Sequence, residues 1–456
     1  MKRRHRASHG AAPLKPQRTN VAAIDLGARE HVVGGPARAD GAANVQRFGT
    51  TTPELRRLVR WLQEQGVRSV AMESTGVYWI PIYELLQAEG IEAVLVNARH
   101  LSGVPGRKSD LLDCQWLQQL HSCGLLKGSF RPDEAICRLR AVQRERANLI
   151  AERTRIVQRM QKALDQMNVQ VHHAVTELTG KTGLAIVRAI VAGERDALQL
   201  AQLRDKRCQK SVAQIAEHLS GSWREEHLFN LTMGLRRYDE IQRVIADYDA
   251  QLYRWIAEVQ PPERATQSVP AHPNARKEKK IRQDGEQPIR EALWRWTGVD
   301  LCRIDGIRAA AAETVLTEIG LDLSAFPTEH HFVSWLRLSP KTATSAGKPV
   351  PTRRASTAVT RVAGVLRMAA LSLSRSPTAL GAYYRRVARR KGAAVAVFAT
   401  ARKLAQLIYR MLRYGQDYVD EGAKAYEARF EQRRLRQLTD TAHQFGYRLV
   451  PLADAA

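Results

Sequence analysis

The chain reads GRKSDLLD at residues 106–113, a stretch in which two carboxylates stand three residues apart behind a basic pair. Ser109 is suited to cap a helix, because its hydroxyl can accept hydrogen bonds from the free amides of a first turn. Apolar residues then recur at helical spacing as far as Leu120. On such a helix Asp110 and Asp113 share one face. The pattern predicts either acids that hold a divalent metal or first-turn acids that only complement the helix dipole.

Two earlier stretches place carboxylates within apolar runs. VAAIDLG at residues 21–27 reads as a buried strand that contains Asp25, and VRSVAME at residues 67–73 reads as a strand that ends on Glu73. A carboxylate buried in a strand has to be paired or bound to a metal, because burying it alone is costly. Further strands are predicted at 30–33, 45–48 and 91–96, and helices at 53–65 and 78–89. This alternation predicts an α/β sheet with helices packed on it.

The predicted fold also places the acids. Ligands of open α/β sheets bind outside the carboxyl ends of the strands. Asp25, Glu73, Asp110 and Asp113 are therefore expected to converge on one edge of the sheet. Ligation by oxygen alone suits Mg²⁺ or Mn²⁺ and argues against zinc. Two such ions about 4 Å apart activate a nucleophile and stabilise a leaving oxygen in phosphodiester chemistry.

The charge of the chain indicates a polyanionic partner. Its 456 residues carry 71 basic and 46 acidic side chains, a net charge of +25. Nucleic acid is the commonest such partner, and an anionic membrane surface is the rival. No apolar run approaches the ~20 residues that span a bilayer, and the basic N-terminus lacks the hydrophobic region of a secretory signal. Five cysteines without a CxxC pair argue against disulfides or structural zinc, so a cytoplasmic protein is expected.

The rest of the chain reads as mostly helical. Two long helices, 134–170 and 227–259, carry apolar stripes that predict an antiparallel hairpin or a dimer seam. Most arginines of the first helix are expected on a solvated surface: Arg140, Arg144, Arg146, Arg153, Arg155 and Arg159. Residues 304–307 predict a turn between packed helices, and residues 338–348 a Ser/Thr-rich loop.

These readings divide the chain into segments. We predict a basic arm at 1–19, an α/β catalytic domain at 20–133, a long helical region at 134–265, a polar linker at 266–290, a helical domain at 291–420 and a charged tail at 421–456.

Several motifs together resemble those of the DEDD insertion-sequence transposases of the Piv/MooV type, which are bridge-RNA-guided DNA recombinases. The matching stretches are AIDLG at 23–27, MESTG at 72–76, KSDLLD at 108–113, SAGK at 345–348, SRS at 374–376 and YRML at 409–412. The resemblance covers nearly the whole chain except the basic arm and the linker. Two departures occur: Ile304-Asp305-Gly306 replaces the usual Pro-Gly, and Ala346-Gly347 replaces the usual double glycine.

The resemblance implies a RuvC-like, RNase H-type domain that holds the metal on the four acids. It implies a helical transposase domain whose nucleophile is Ser345, although Ser339, Thr342 and Thr344 are neighbouring hydroxyls. It also implies DNA as donor and target, a structured guide RNA, and a homo-oligomer in which the α/β domain of one subunit and the serine domain of another complete one site.

Basic residues near these motifs are expected to hold the nucleic-acid backbone: Arg107, Lys108, Lys348, Arg353, Arg354 and the run 385–391. Three rival functions are weighed. A junction-resolvase nuclease needs the acids but forms no covalent intermediate with DNA. An actin-like ATP-using kinase needs further Gly-rich phosphate loops, which are not found. A non-catalytic scaffold explains the charge but not the acids on strands.

Overall fold

The computed structural model describes residues 16–36, 44–74, 76–97, 110–259, 262–265, 268–340, 343–345, 348–350, 360–415 and 417–450. At 110–112, 264, 343–345 and 348–350 it describes the backbone alone. The chain divides into two compact units, Met1–Arg131 and Pro132–Ala456. No helix of the described part is long and apolar enough to cross a membrane.

The first unit is built on a five-stranded sheet. Its strands are Val21–Leu26 (β1), Glu30–Gly34 (β2), Val45–Gly49 (β3), Ser69–Glu73 (β4) and Glu92–Val96 (β5). They lie in the order β3-β2-β1-β4-β5. Strands β1, β2 and β3 form an antiparallel meander, whereas β4 pairs in parallel with both β1 and β5. The predicted order of strands and helices is confirmed, and so is the mixed α/β class of this unit.

Helices cover both faces of the sheet. They are Thr52–Glu64 (α1), Trp79–Ala88 (α2) and Asp110–Ser122 (α3). On one face, Ile24 and Met72 pack in a buried cluster with Leu58 and Leu86 of α1 and α2. On the other face, a second buried cluster joins the sheet to Cys114 and Leu117 of α3: Ala23, Val32, Ala71 and Val96. Side chains alternate between the faces along each strand, so odd-numbered residues of β1 and β4 face α3.

The second unit is mainly helical. Its helices are Glu134–Gln166 (α4), Val171–Ala174 (α5), Lys181–Ala192 (α6), Ala197–Gln202 (α7), Val212–Glu217 (α8), Glu225–Glu258 (α9), Ala275–Gln283 (α10), Gln287–Thr297 (α11), Ala309–Ile319 (α12), Glu329–Trp335 (α13), Arg361–Ser372 (α14), Ala379–Lys391 (α15), Ala393–Tyr414 (α16) and Gly422–Gln444 (α17). Helices α4 and α9 pack against each other along the predicted stripes, and the short helices between them complete the same buried cluster.

Some arginines of α4 differ from the prediction. Arg144 makes two hydrogen bonds of 2.7 Å to the carboxylate of Glu318 on α12, and Arg140 contacts the same carboxylate. Arg146 bonds to Asp249 on α9. The expectation of a solvated surface is wrong for Arg140 and Arg146, whose side chains are 16 % and 14 % exposed, because α4 packs against α12 as well as α9 and acids lie in those contacts. Three other arginines of the helix are exposed as expected: Arg144, Arg155 and Arg159.

Residues predicted as a polar linker also contain ordered structure. Helix α10 occupies 275–283, with Asn274 capping its first amides. Its Glu278 accepts a 2.9 Å hydrogen bond from Arg290, a side chain that is almost completely buried. The Arg290 guanidinium also binds Asp300 at 2.6 Å. Ion pairs with a buried arginine thus attach this segment to the rest of the unit. Because charged side chains make these contacts, the sequence shows no apolar periodicity that would predict the helix. The predicted domain limits within this unit stay predictions.

The Ser/Thr-rich loop contains a small hairpin. Ala343–Ser345 (β6) pairs antiparallel with Lys348–Val350 (β7), and Ser345 is the register partner of Lys348. A loop without regular structure was expected here, since three-residue strands give too short a pattern to recognise.

Candidate active site

Asp25 and Glu73 occupy matching positions on adjacent strands. The parallel register of β1 and β4 pairs Ile24 with Met72, and each acid is the next residue of its strand. Both acids are half-buried and stand at the carboxyl ends of their strands. Their register partners on the flanking strands β2 and β5 are Val32 and Val96, which belong to the cluster under α3. The two acids therefore lie side by side on the sheet face that α3 covers.

Helix α3 is fixed to that face by polar side chains. The Cys114 thiol lies 3.4 Å from the carbonyl oxygen of Ala23 and 3.2 Å from that of Val32, and donates to both. One turn later, Gln118 Nε2 donates to the carbonyl oxygen of Val21 at 3.4 Å. Since rising residue numbers on the helix meet falling numbers on β1, the helix runs antiparallel to the strand. Its N-terminus therefore points to the carboxyl edge of the sheet.

This orientation brings the start of α3 to the two strand acids. Asp110 precedes Cys114 by four residues, about 6 Å along the helix, and Asp25 lies about 6.6 Å beyond Ala23 along the strand. The backbone of Asp110 therefore lies at the level of Asp25, on the helical stripe that meets the sheet. Asp113 is turned aside by about 100° from Cys114 and is exposed.

Electrostatics around Cys114 reflect the same proximity. Burial raises the pKa of its thiol to about 12, and the negative charge of Asp25 acts in the same direction. The thiol consequently stays protonated near neutral pH and serves as a hydrogen-bond donor. A nucleophilic cysteine would need the opposite shift, so Cys114 positions the helix.

The described side chains do not by themselves gather a complete metal site. Across the residues whose side chains the structure describes, no three His, Cys, Asp or Glu are grouped so as to hold a metal ion. Asp25 and Glu73 each have a partner, and the side chain of Asp110 lies outside the described set. The donors available at this edge are carboxylate oxygens, the ligands that Mg²⁺ and Mn²⁺ prefer.

The second unit contains Ser345 within the β6–β7 hairpin, where the backbone alone is described. Ser345 and Lys348 are register partners on the two strands. Ser339 precedes the hairpin, Thr344 is its middle β6 residue, and Thr342 lies outside the described residues.

Few of the residues expected to bind nucleic acid are described with their side chains. Arg107, Lys108, Arg353 and Arg354 lie outside the described residues, and Lys348 is described by its backbone. In the run 385–391, Arg385 donates to backbone carbonyls, and the guanidinium of Arg386 lies 3.8 Å from the Phe430 ring centroid. The last three residues of that run are exposed at the end of α15.

Two family models match the chain. The first is a transposase model, DEDD_Tnp_IS110, over residues 22–169, which include the two strand acids and α3. The second is the transposase model of the IS116/IS110/IS902 family, over residues 298–385, which include the β6–β7 hairpin. The chain belongs to the IS110-family transposases. The protein is therefore an enzyme, a DNA transposase/recombinase of an insertion sequence. No curated protein matches the chain.

Some residues that shape the transposase site escaped the sequence analysis. Cys114 and Gln118 lie among apolar residues of α3 and read as ordinary core positions. Ser74 also fixes the site, because its amide and its hydroxyl both donate to the carbonyl oxygen of Val96, at 2.9 and 3.2 Å. This contact ties the end of β4 to β5. Its only signal in the sequence was a hydroxyl residue directly after Glu73.

Proposed function

We propose that this transposase cuts and rejoins DNA strands at a carboxylate site in a RuvC-like α/β domain, with Ser345 as the nucleophile. The site consists of Asp25, Glu73, Asp110 and Asp113. One observation carries the proposal: the register of β1 and β4 sets two acids side by side on the face covered by the helix that begins at Asp110. Three separate elements thus bring acids to one sheet edge.

The four carboxylates would hold Mg²⁺ or Mn²⁺. Oxygen donors fit these ions, and the DEDD transposases typically use a divalent metal. Such an ion, when bound, supplies positive charge at the phosphate under attack. The protein contributes the placement: the sheet fixes two carboxylates, and the Cys114 hydrogen bonds fix the axial position of α3.

Ser345 accounts for rejoining. Strand exchange without an external energy source requires that the energy of the cleaved phosphodiester be kept, and a covalent intermediate keeps it. In the forward step the Ser345 oxygen bonds to phosphorus and loses its proton, while the sugar oxygen leaves and takes up a proton. In the reverse step a sugar hydroxyl attacks the serine phosphodiester and restores the free serine. Lys348, opposite Ser345 in the hairpin, would neutralise the phosphate charge.

The proposed partners are nucleic acids, inferred from the net charge of the chain, and a second copy of the chain, inferred from the placement of the acids and the serine in different units. A net charge of +25 suits DNA and a structured guide RNA, held in part by Arg107, Lys108, Arg353 and Arg354. The acids belong to one compact unit and the serine to the other. A working site therefore requires the two units to meet, within one chain or between copies in a homo-oligomer.

Metal binding can be tested without DNA. We expect Mn²⁺ to raise the melting temperature of the wild-type protein, because a ligand of the folded state alone stabilises it. Asp25→Asn should lose that shift and strand cleavage while still binding nucleic acid. Glu92→Gln is the matched control, since Glu92 stands at the opposite, amino end of β5. An unchanged Mn²⁺ shift and normal cleavage in Asp25→Asn would show that the acids do not form the site.

The guide is tested by sequencing the RNA that co-purifies with the full chain. A single structured RNA species enriched over total cellular RNA supports the proposal. Random cellular fragments in the same proportions as the input would contradict a guided mechanism while leaving the carboxylate site untouched.

A further inference from the structure

The loop after Glu73 presents two apolar side chains to solvent. Val77 is 66 % exposed and Tyr78 is 45 % exposed, although the next aromatic residue, Trp79, packs edge-on against Tyr83. The guanidinium of Arg131 lies over both of those packed rings, 5.6 Å from the Trp79 centroid and 4.3 Å from that of Tyr83. The sequence of the loop thus provides one aromatic residue for the core and leaves another outside it.

The exposed ring is held in place. Gly76 has φ +59°, a left-handed conformation that favours glycine, and a Cβ there would lie 3.6 Å from the Tyr78 ring. The ring therefore lies over Gly76, with room for no more than a Cβ between them. Tyr78 is also the N-cap residue of α2, and Ser74 anchors the other end of the loop to β5. Among the described residues, the Tyr78 hydroxyl has no hydrogen-bond partner.

The loop leaves the sheet at the same edge as the acids. Tyr78 follows Glu73 by five residues, so their Cα atoms are at most about 17 Å apart. Successive bases of a DNA strand are about 3.4 Å apart, so Tyr78 lies within about five nucleotides of a phosphate held at the carboxylates. A fixed, exposed aromatic ring is the usual platform on which an unpaired base stacks.

We infer that Tyr78 stacks on a nucleobase of the DNA strand that enters the carboxylate site, with Val77 flanking the same base. The inference rests on the proposed function, and it adds a contact that grips the strand beside the scissile phosphate. Tyr78 is a binding residue under this proposal and takes no part in bond making. Stacking uses the flat face of a base, which all four bases have. The contact therefore holds the strand without selecting its sequence.

Photocrosslinking of the full chain tests this. The probe is DNA spanning the ends of the insertion sequence, with thymines replaced by 5-iodouracil, which crosslinks to stacked aromatic side chains on irradiation. We expect mass spectrometry to find an adduct on Tyr78. Tyr78→Phe should keep the crosslink at position 78, whereas Tyr78→Leu should lose it and slow strand cleavage by about ten-fold. Tyr447→Leu is the matched control, because Tyr447 is 74 % exposed in the second unit.

Each outcome bears on the proposal separately. Crosslinks that avoid position 78, or a Tyr78→Leu protein that crosslinks and cleaves like the wild type, would overturn it. A Tyr78→Leu protein with altered oligomeric mass and an unchanged crosslink map would show that the ring contacts protein instead of DNA. If Tyr78 crosslinks but the wild-type protein never cleaves DNA, the strand-cleavage function fails and the stacking contact stands.

Discussion

Glu313 is a fully buried carboxylate in the second unit, and its surroundings allow a quantitative prediction. The Tyr253 hydroxyl donates to one of its oxygens at 2.8 Å, and Gln143 Nε2 donates to the other at 3.2 Å. Arg146 Nη1 lies 3.5 Å from that second oxygen. Burial raises the pKa of Glu313, and the positive charge of Arg146 opposes this shift.

Replacing Arg146 by Met should leave the carboxylate buried without its cation. Breaking such a pair costs about 3–5 kcal/mol. The folded-state pKa of Glu313 lies above its unfolded value, so its contribution to stability is complete below the unfolded pKa and is lost as pH rises through the folded pKa. Between those two values the free energy of unfolding falls by about 1.4 kcal/mol per pH unit. Arg146→Met raises the folded pKa further and extends this fall to higher pH.

The assay is native-state hydrogen exchange of the Ala309–Ile319 amides at pH 5.5 to 8.5, which isolates this region from the α/β unit. Glu313→Gln is the control. The Gln143 carbonyl oxygen lacks a partner among the described residues, so its amide can turn and accept from the new amide. That variant should cost about 1 kcal/mol and remove the pH slope. Equal losses for Arg146→Met at both ends of the pH range would refute the reasoning.

Three further predictions concern other parts of the chain. Cys114 should resist iodoacetamide at pH 8 in the native protein, because burial raises its pKa to about 12; rapid labelling of Cys114 in a peptide map would contradict this. Gly306→Ala should lower the free energy of unfolding by more than about 1 kcal/mol, since φ is +86° and a Cβ would lie 3.0 Å from a backbone oxygen, whereas Gly364→Ala, in a helix with open space, should not. Neutralising the three exposed basic residues 389–391 should reduce the slope of log K against log salt for DNA by about 3, and an unchanged slope would remove them from the interface.

Much of the α/β unit could be predicted because its signals are local. A carboxylate inside an apolar run identified Asp25 within β1, and the helical spacing after Ser109 identified α3. The parallel pairing of β4 with β5 follows from the alternation of strands and helices. The register that aligns Asp25 with Glu73 joins β4 to a strand that precedes the meander, so it could not be predicted. The hydrogen bonds of Cys114 could not be predicted, because they join residues about 90 positions apart.

The second unit was less predictable for the same physical reason. The hairpin of α4 and α9 follows from stripes within each helix. The bonds between Arg144 and Glu318 join residues 174 positions apart. In the sequence, both residues have the spacing of ordinary surface residues on a helix, so nothing local indicates that they pair. Buried Arg290 likewise reads as a surface residue until Glu278 and Asp300 meet it. The assignment of the carboxylates and of Ser345 rests on motifs and stays a prediction, and so does the proposal that they act in one site.

We propose that Ser345 cuts DNA through a covalent intermediate, and trapping that intermediate tests this proposal. Full-length protein is incubated with the RNA that co-purifies with it, Mg²⁺ and DNA of the element ends. The reaction is quenched in denaturant and digested, and the phosphodiester-linked peptide is located by mass spectrometry. We predict an adduct on Ser345 that is absent from Ser345→Ala and from Asp25→Asn. An adduct on Ser339, Thr342 or Thr344, or cleavage by Ser345→Ala with no adduct, would contradict the account and favour hydrolysis or another nucleophile.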